Sequence, residues 1–252
     1  MNKIFTIILI LGTHLGIFAQ ELDVFIHGGD TCYILKDSLS FSDFHDYSEF
    51  TNSFPDGLWV QLTDEILEYK FHLKNNKLNG IWTSYDNQNK EYYKKGNYVD
   101  GFKTGPFYSY SESGQIFSID YWADGSQQES YYYYKNGNLK KRFLHVSDTL
   151  DFHTYYYPNG FKKSEGLFSV KMNDKTGKIE NWKSANWTTW FDNGVVESFG
   201  PYYRGKKNSA WDYFNKENEF VKSEYYKEGI LIKSSTAGTY GEMGIIRGQY
   251  KK

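Results

Sequence analysis

A single cysteine, Cys32, stands in 252 residues. It leaves no intrachain disulfide to staple the fold, so a packed core has to hold the chain together. Proline is also sparse, 4 residues against 23 glycines, which excludes a proline-rich linker and leaves room for many turns. Leu and Ala are scarce and no long stretch carries apolar residues at helical spacing, which weighs against helices. No uninterrupted apolar run reaches the roughly 20 residues of a spanning helix. Neither sign of charge dominates: 29 Lys and Arg face 31 Asp and Glu, a formal net charge of -2. That balance gives no electrostatic footprint for nucleic acid or an anionic membrane surface.

What the chain has in excess is aromatic rings. Tyr 24, Phe 19 and Trp 7 make up 20% of the sequence, and such residues favour a pleated, half-buried surface, so the composition predicts β structure. The first 19 residues read as a secretory signal peptide. Lys3 forms a positive n-region, residues 4–11 an apolar run broken only by Thr6, and Ala19 a small residue at the cleavage point before Gln20. The expected location is outside the cytoplasm (periplasm, cell surface or medium), with no transmembrane segment in the mature chain.

A tandem repeat fills most of what remains. Three Asn-Gly pairs, at 136–137, 159–160 and 193–194, follow aromatic residues at a fixed distance. With the second residue of each pair as anchor, the frame extends to Ile66, Asn89, Gly114, Gly137, Gly160, Gly194 and Asn218. Successive anchors are 23, 25, 23, 23, 34 and 24 residues apart, a period that signals a stacked array in which each copy is buried by its neighbours. Asn89, Gly114, Gly137, Gly160, Gly194 and Asn218 are residues that accept a left-handed backbone, and they mark one hairpin turn per unit. A second turn precedes each leading aromatic, with Asn76, Gly101 and Gly205 in one column and Gly57, Gly80, Gly105 and Ser209 in another. Nine residues before the leading aromatic runs an apolar column, Phe50, Leu73, Tyr98, Tyr121, Leu144 and Tyr202. Two strands of about 5 residues and two turns fill such a period. The fold class predicted is therefore all-β, tandem β-hairpins forming an elongated single meandering sheet.

The unit resembles the MORN repeat in its bacterial variant form, through the G-x-[WF]-x-x-[YF] and Asn-Gly features at 80–85, 105–110, 187–194 and 209–214. The resemblance covers residues 54–232, about seven units, with an insertion near 170–181 that reads as an elongated hairpin. It weakens where Ser130 and His153 take the leading aromatic position. It implies a protein-binding scaffold, and many sequences of that family carry an antitoxin-like label. Residues 20–53 are an expected N-terminal cap, with strands at 23–27 and 31–35 around the Gly28-Gly29-Asp30 turn. Residues 233–252 are an expected Gly-rich C-terminal cap with a strand at 245–246.

No catalytic, cofactor or metal site is expected. His27, Asp30 and Cys32 fit no common ligand spacing, and a hairpin turn explains them. Asp148, Asp151 and His153 lie close in sequence, but His153 falls on the leading aromatic column and reads as a core position. No nucleophile elbow, zinc-protease motif or phosphate-binding loop is present. The aromatics themselves divide in two. Trp59, Trp82, Phe107, Trp187 and Trp211 lead each unit and are read as core. Tyr85, Tyr110, Trp190 and Phe214 follow three positions later, and residues an odd number apart in a strand face opposite sides unless a bulge intervenes. They are the candidate binding surface, since rows of exposed rings mark contact sites. The expected partner is another protein; the alternative is a carbohydrate or cell-wall module that holds sugars on stacked rings.

Overall fold

The computed structural model describes residues 5–13, 16–27, 30–36, 56–63, 66–85, 93–172 and 178–236. Among them every regular element is a β-strand, as the aromatic and β-branched composition dictates. The chain divides into two compact units, Met1–Gly137 and Asn138–Lys252. The first holds β1 (Phe5–Thr13), β2 (Gly16–His27), β3 (Asp30–Lys36), β4 (Gly57–Thr63), β5 (Ile66–Lys74), β6 (Lys77–Leu78), β7 (Gly80–Tyr85), β8 (Tyr93–Val99), β9 (Phe102–Lys103), β10 (Gly105–Tyr110), β11 (Ile116–Ala123) and β12 (Ser126–Tyr133). The second holds β13 (Leu139–Ser147), β14 (Leu150–Tyr156), β15 (Lys162–Met172), β16 (Ile179–Trp190), β17 (Val196–Tyr203), β18 (Lys206–Lys207), β19 (Ser209–Phe214), β20 (Phe220–Lys227) and β21 (Ile230–Thr236).

Within each unit the strands meander antiparallel, hairpin after hairpin. One pairing departs from this: β3 runs parallel to β4, with Cys32 opposite Leu58 and Lys36 opposite Leu62. The expected N-terminal hairpin is present, His27 opposite Asp30 and Leu22 opposite Leu35. The segment read as a signal peptide forms β1 and the start of β2. Removal of residues 1–19 would leave the β2 partners of β3 from Leu22 onward in place. At the other end the hairpin pattern runs to Thr236, opposite Lys222, a little past the expected array boundary. The expectations for 37–55, for Asn89, for the hairpin tip at 173–177 and for 237–252 lie outside the described residues.

Two kinds of turn alternate. At the anchor turns, Gly114, Gly160, Gly194 and Asn218 donate to the carbonyl three residues back, and the closing pairs are Ser111 with Gln115, Tyr157 with Phe161, Phe191 with Val195, and Asn215 with Glu219. The anchor residue takes positive φ, from 63° at Asn218 to 94° at Gly160. That is the three-residue hairpin loop with one left-handed position. The second turns differ: Asn75 and Asn76, Asp100 and Gly101, Arg204 and Gly205, and Glu228 and Gly229 all carry positive φ. Two consecutive left-handed residues make the two-residue turn whose twist matches the flanking strands.

The core of each unit is a cross-strand row. In the first unit, Trp59 lies opposite Phe71, Trp82 opposite Gly96, and Phe107 opposite Asp120, which in turn lies opposite Ser130. In the second, Phe143 meets His153, His153 meets Gly166, Gly166 meets Trp187, Trp187 meets Gly200, and Trp211 meets Glu224. Trp59 is 0% exposed, Trp82 4%, Phe107 8%, Trp187 1% and Trp211 2%. Each buried ring removes roughly 150–250 Å² from water, worth at most about 4–6 kcal/mol at about 25 cal/mol/Å². The glycines in the row make space for the rings. A Cβ at Gly166 would stand 2.5 Å from the Trp187 indole, one at Gly200 2.5 Å from Trp211, and one at Gly96 would collide with the Phe107 ring. Each of the two indoles also donates to the carbonyl just beyond its glycine, Trp187 Nε1 to Leu167 O and Trp211 Nε1 to Pro201 O, both at 2.9 Å.

Two members of the apolar column lie elsewhere than their spacing predicts, Tyr121 and Leu144. Leu144 adjoins the core-row Phe143 on its strand and lies opposite Phe152, on the far side. Tyr98 is buried against Trp82 and Phe107, but Tyr121 is 40% exposed. A bulge between Tyr121 and Trp122 shifts the register, so Trp122 lies opposite Gly105 as Tyr98 lies opposite Gly80. Trp122 then packs against Phe107 at 6.3 Å.

Candidate binding surface

Strand alternation carries the second aromatics away from the core row. Tyr110 packs beside Tyr108 at 6.1 Å, and Phe214 stacks on Phe199 at 6.0 Å. Tyr108 and Phe199 each adjoin a buried core-side residue, Phe107 and Gly200 respectively. Tyr85, Tyr110, Trp190 and Phe214 are all half-buried. Phe199, on the same side, is 37% exposed. The register shifts at three of these positions: between Ser109 and Tyr110, Thr189 and Trp190, and Tyr213 and Phe214. Each bulge lies at the second aromatic, where the strand enters its anchor turn, and the Tyr110 and Phe214 rings remain on the far side.

The asparagines of the anchor turns do more than turn the chain. Asn159 Oδ1 accepts from Phe161 N within its own loop, while its Nδ2 donates to Asp192 O of the next hairpin at 2.7 Å. Asn193 repeats the pattern, with Val195 N and with Lys216 O at 3.2 Å. Hence Asn serves better there than Asp: its amide carries a donor outward while its oxygen closes the loop.

On the core side, lysines four residues before the leading aromatics lie over the rings. Lys103 Nζ is 4.4 Å from the Trp122 ring centre, Lys183 Nζ 4.1 Å from Trp187, and Lys207 Nζ 4.4 Å from Trp211. Such contacts stabilise by roughly 0.5–1 kcal/mol each, more where desolvated. Burial pushes all three ammoniums below their ordinary pKa, Lys103 further through Lys94 and Lys183 through Lys207. The fixed offset of these lysines from the leading aromatics stands in the sequence, yet a charge seldom signals a core-facing position.

Where the row loses its large rings, polar groups close it. Ser130, 0% exposed, donates to Asp120 Oδ1 at 2.5 Å, and Gln127 Nε2 donates to both. A fully buried hydroxyl of this kind is a packing element with no route to a substrate. His153 sits between Phe143 (5.1 Å) and Phe168 (4.5 Å), and among the described residues its Nε2 has no hydrogen-bond partner. Burial, with help from the Lys141 ammonium, pulls its pKa to about 4. Asp151 pairs with His145 at 3.1 Å. At the far end Glu224 is buried; hydrogen bonds from Lys222, Tyr226 and Tyr213 outweigh the burial penalty and hold its pKa at about 2. Among the described residues no three His, Cys, Asp or Glu side chains group to hold a metal, and no helix is long and apolar enough to cross a membrane.

Protein-family models gave no match to this chain, and neither did the curated proteins.

Proposed function

We propose that this chain is an exported, non-enzymatic repeat protein of the MORN-like type that meets another protein through its second aromatic column. One observation supports the reading above others: the two columns divide by exposure. The leading rings are 0–8% exposed, whereas Tyr85, Tyr110, Trp190 and Phe214 are only partly buried at the same point of successive hairpins. Rings of this kind give large contact area at low conformational cost, and the Tyr hydroxyl adds a hydrogen bond. The burial of Trp59, Trp187 and Trp211 weighs against a carbohydrate module built on the leading column, since a sugar needs an open ring face to stack on. An antitoxin-like role is the narrower form of the same proposal and rests on the repeat motifs.

The test is an alanine scan of the two columns, scored separately. The mature protein, immobilised, is exposed to the medium or envelope fraction of its own host, and captured proteins are identified by mass spectrometry. Substitutions at Tyr85, Tyr110, Trp190 and Phe214 are expected to reduce capture with little loss of thermal stability, the central ones most. Substitutions at Trp82, Phe107, Trp187 and Trp211 are expected to lower stability first. Equal destabilisation by both columns would refute the assignment of the surface. Intact-mass measurement of the same material tests export, with a chain beginning at Gln20 or Glu21 expected and a full-length cytoplasmic product refuting it.

A further inference from the structure

The second-turn rim of the Asn138–Lys252 unit gathers charge that the composition hides. Gly205 N donates to Lys183 O at 3.0 Å and Gly229 N to Lys207 O at 2.8 Å. These bonds set Lys183, the turn at 204–205 and the turn at 228–229 one above the next. Lys206 backs directly onto the second turn, where a Cβ at Gly229 would lie 3.4 Å from its own Cβ. The rim thus exposes Arg204, Lys206 and Lys227, with Glu228 as the carboxylate of the two turns, although the whole chain is slightly acidic at -2; Lys183 and Lys207 lie over the core-side rings. The opposite rim pairs its charges: Lys216 with Asp192 and Lys162 with Glu165, each at 2.8 Å. Among the described residues Arg204, Lys206 and Lys227 form no ion pair. Interleaved with them are exposed apolar side chains, Tyr203 at 54% and Ile230 at 67%, the latter opposite Lys227 across the strands.

We propose that this rim is a second docking surface, and that its occupant is an extended acidic polypeptide segment with apolar side chains between its carboxylates. Charge complementarity selects an anion, because unpaired cations at this density repel one another until a partner neutralises them. The apolar side chains select a polypeptide over a polyanionic sugar or nucleic acid, which would leave Tyr203 and Ile230 against hydrated phosphate or sulfate. Spacing narrows it further. Successive turns are two strands apart, about 9.6 Å, which matches three residues of a polyproline II segment at about 3.1 Å each. A segment with a carboxylate at every third position would meet one turn per carboxylate. The surface goes beyond the ring column proposed above and shares no residue with it, so either can fail alone.

The test uses the mature chain and a fluorescent twelve-residue peptide of four Glu-Ile-Pro triplets. Anisotropy titration should show binding that weakens as salt rises from about 50 to 300 mM. Reversal of the exposed cations (Arg204→Glu, Lys206→Glu, Lys227→Glu) should weaken it at least about tenfold with Tm unchanged, and Tyr203→Ser with Ile230→Ser by a similar factor. Should the triple reversal lower Tm, the neutral pair Arg204→Gln and Lys227→Gln decides in the same way. No binding by the Glu-Ile-Pro peptide would overturn the proposal. So would undiminished binding by the variants, or equal binding by a Lys-Ile-Pro peptide or a heparin hexasaccharide.

Discussion

Substituting Gly200 with alanine sets local preference against packing. Gly200 lies inside β17 with no positive φ, so alanine can adopt its backbone, and on propensity alone the change should stabilise by roughly 0.5–1 kcal/mol. The structure predicts the opposite sign. The new Cβ would stand 2.5 Å from the Trp211 indole, inside a row where Trp211 is 2% exposed and the ring cannot move outward cheaply. Overpacking of this kind costs about 1–3 kcal/mol, and a displaced indole loses its bond to Pro201 O, about 1 kcal/mol more. The net expectation is a destabilisation of about 2–3 kcal/mol, measured by chemical denaturation followed through tryptophan fluorescence. A double-mutant cycle isolates the cause. Trp211→Ala alone should cost about 3–5 kcal/mol. In that background Gly200→Ala should be neutral or slightly stabilising, a coupling of at least about 2–3 kcal/mol. If Gly200→Ala is harmless by itself, or costs the same without the indole, the glycine does not hold space for the ring and the packing argument fails.

Three other perturbations probe different parts of the array. Asn159→Asp keeps the oxygen that closes its loop and removes the donor to Asp192 O, and should cost about 1 kcal/mol, a Tm fall of about 2–4 °C for a protein of this size; an unchanged melting curve would dismiss the inter-hairpin bond. His153 has a folded pKa of about 4 against about 6.5 when unfolded. The unfolded chain therefore binds the proton first, and the stability present above pH 6.5 is lost as pH falls towards 4, by about 2 kcal/mol once partial exposure is allowed for. His153→Phe should abolish that loss, and an identical pH–stability profile for the variant would refute it. Excising residues 114–136, the 23-residue step between two anchors, should leave a folded shorter array, whereas deleting half as much should expose the apolar columns; circular dichroism and Tm that fail to distinguish them would contradict the repeat.

The repeat, the all-β class, the anchor turns and the leading column were legible because each rests on a residue type with one dominant physical use. Asn or Gly at a fixed offset means a left-handed backbone, and Trp or Phe at a fixed offset means burial. The glycines at 96, 166 and 200 were not legible. They lie in strands rather than turns, and their purpose depends on a ring 11 to 21 residues later in sequence, a distance only the register supplies. The exchange of Tyr121 for Trp122 was hidden for a related reason. A bulge adds one residue and inverts which neighbour faces inward, while two adjacent aromatics read alike in composition. The parallel pairing of β3 with β4 left no trace in local pattern at all.

The lysines show why the candidate surfaces were harder to read than the core. In the sequence, Lys206 and Lys207 are one basic pair. In the structure they part: Lys207 turns over the Trp211 ring, while Lys206 is exposed at the rim beside the next turn. Alternation along a strand separates neighbours onto opposite sides, so a pair that looks like a single patch supplies one cation to the core and one to solvent. The same rule splits Trp211 from Phe214 and Phe107 from Tyr110. In a one-layer array both sides of the sheet repeat with the same period, so the period locates the two surfaces together. Which of them is buried follows from what lies opposite each residue across the strands: Gly200 opposite one ring, Phe199 beside the other.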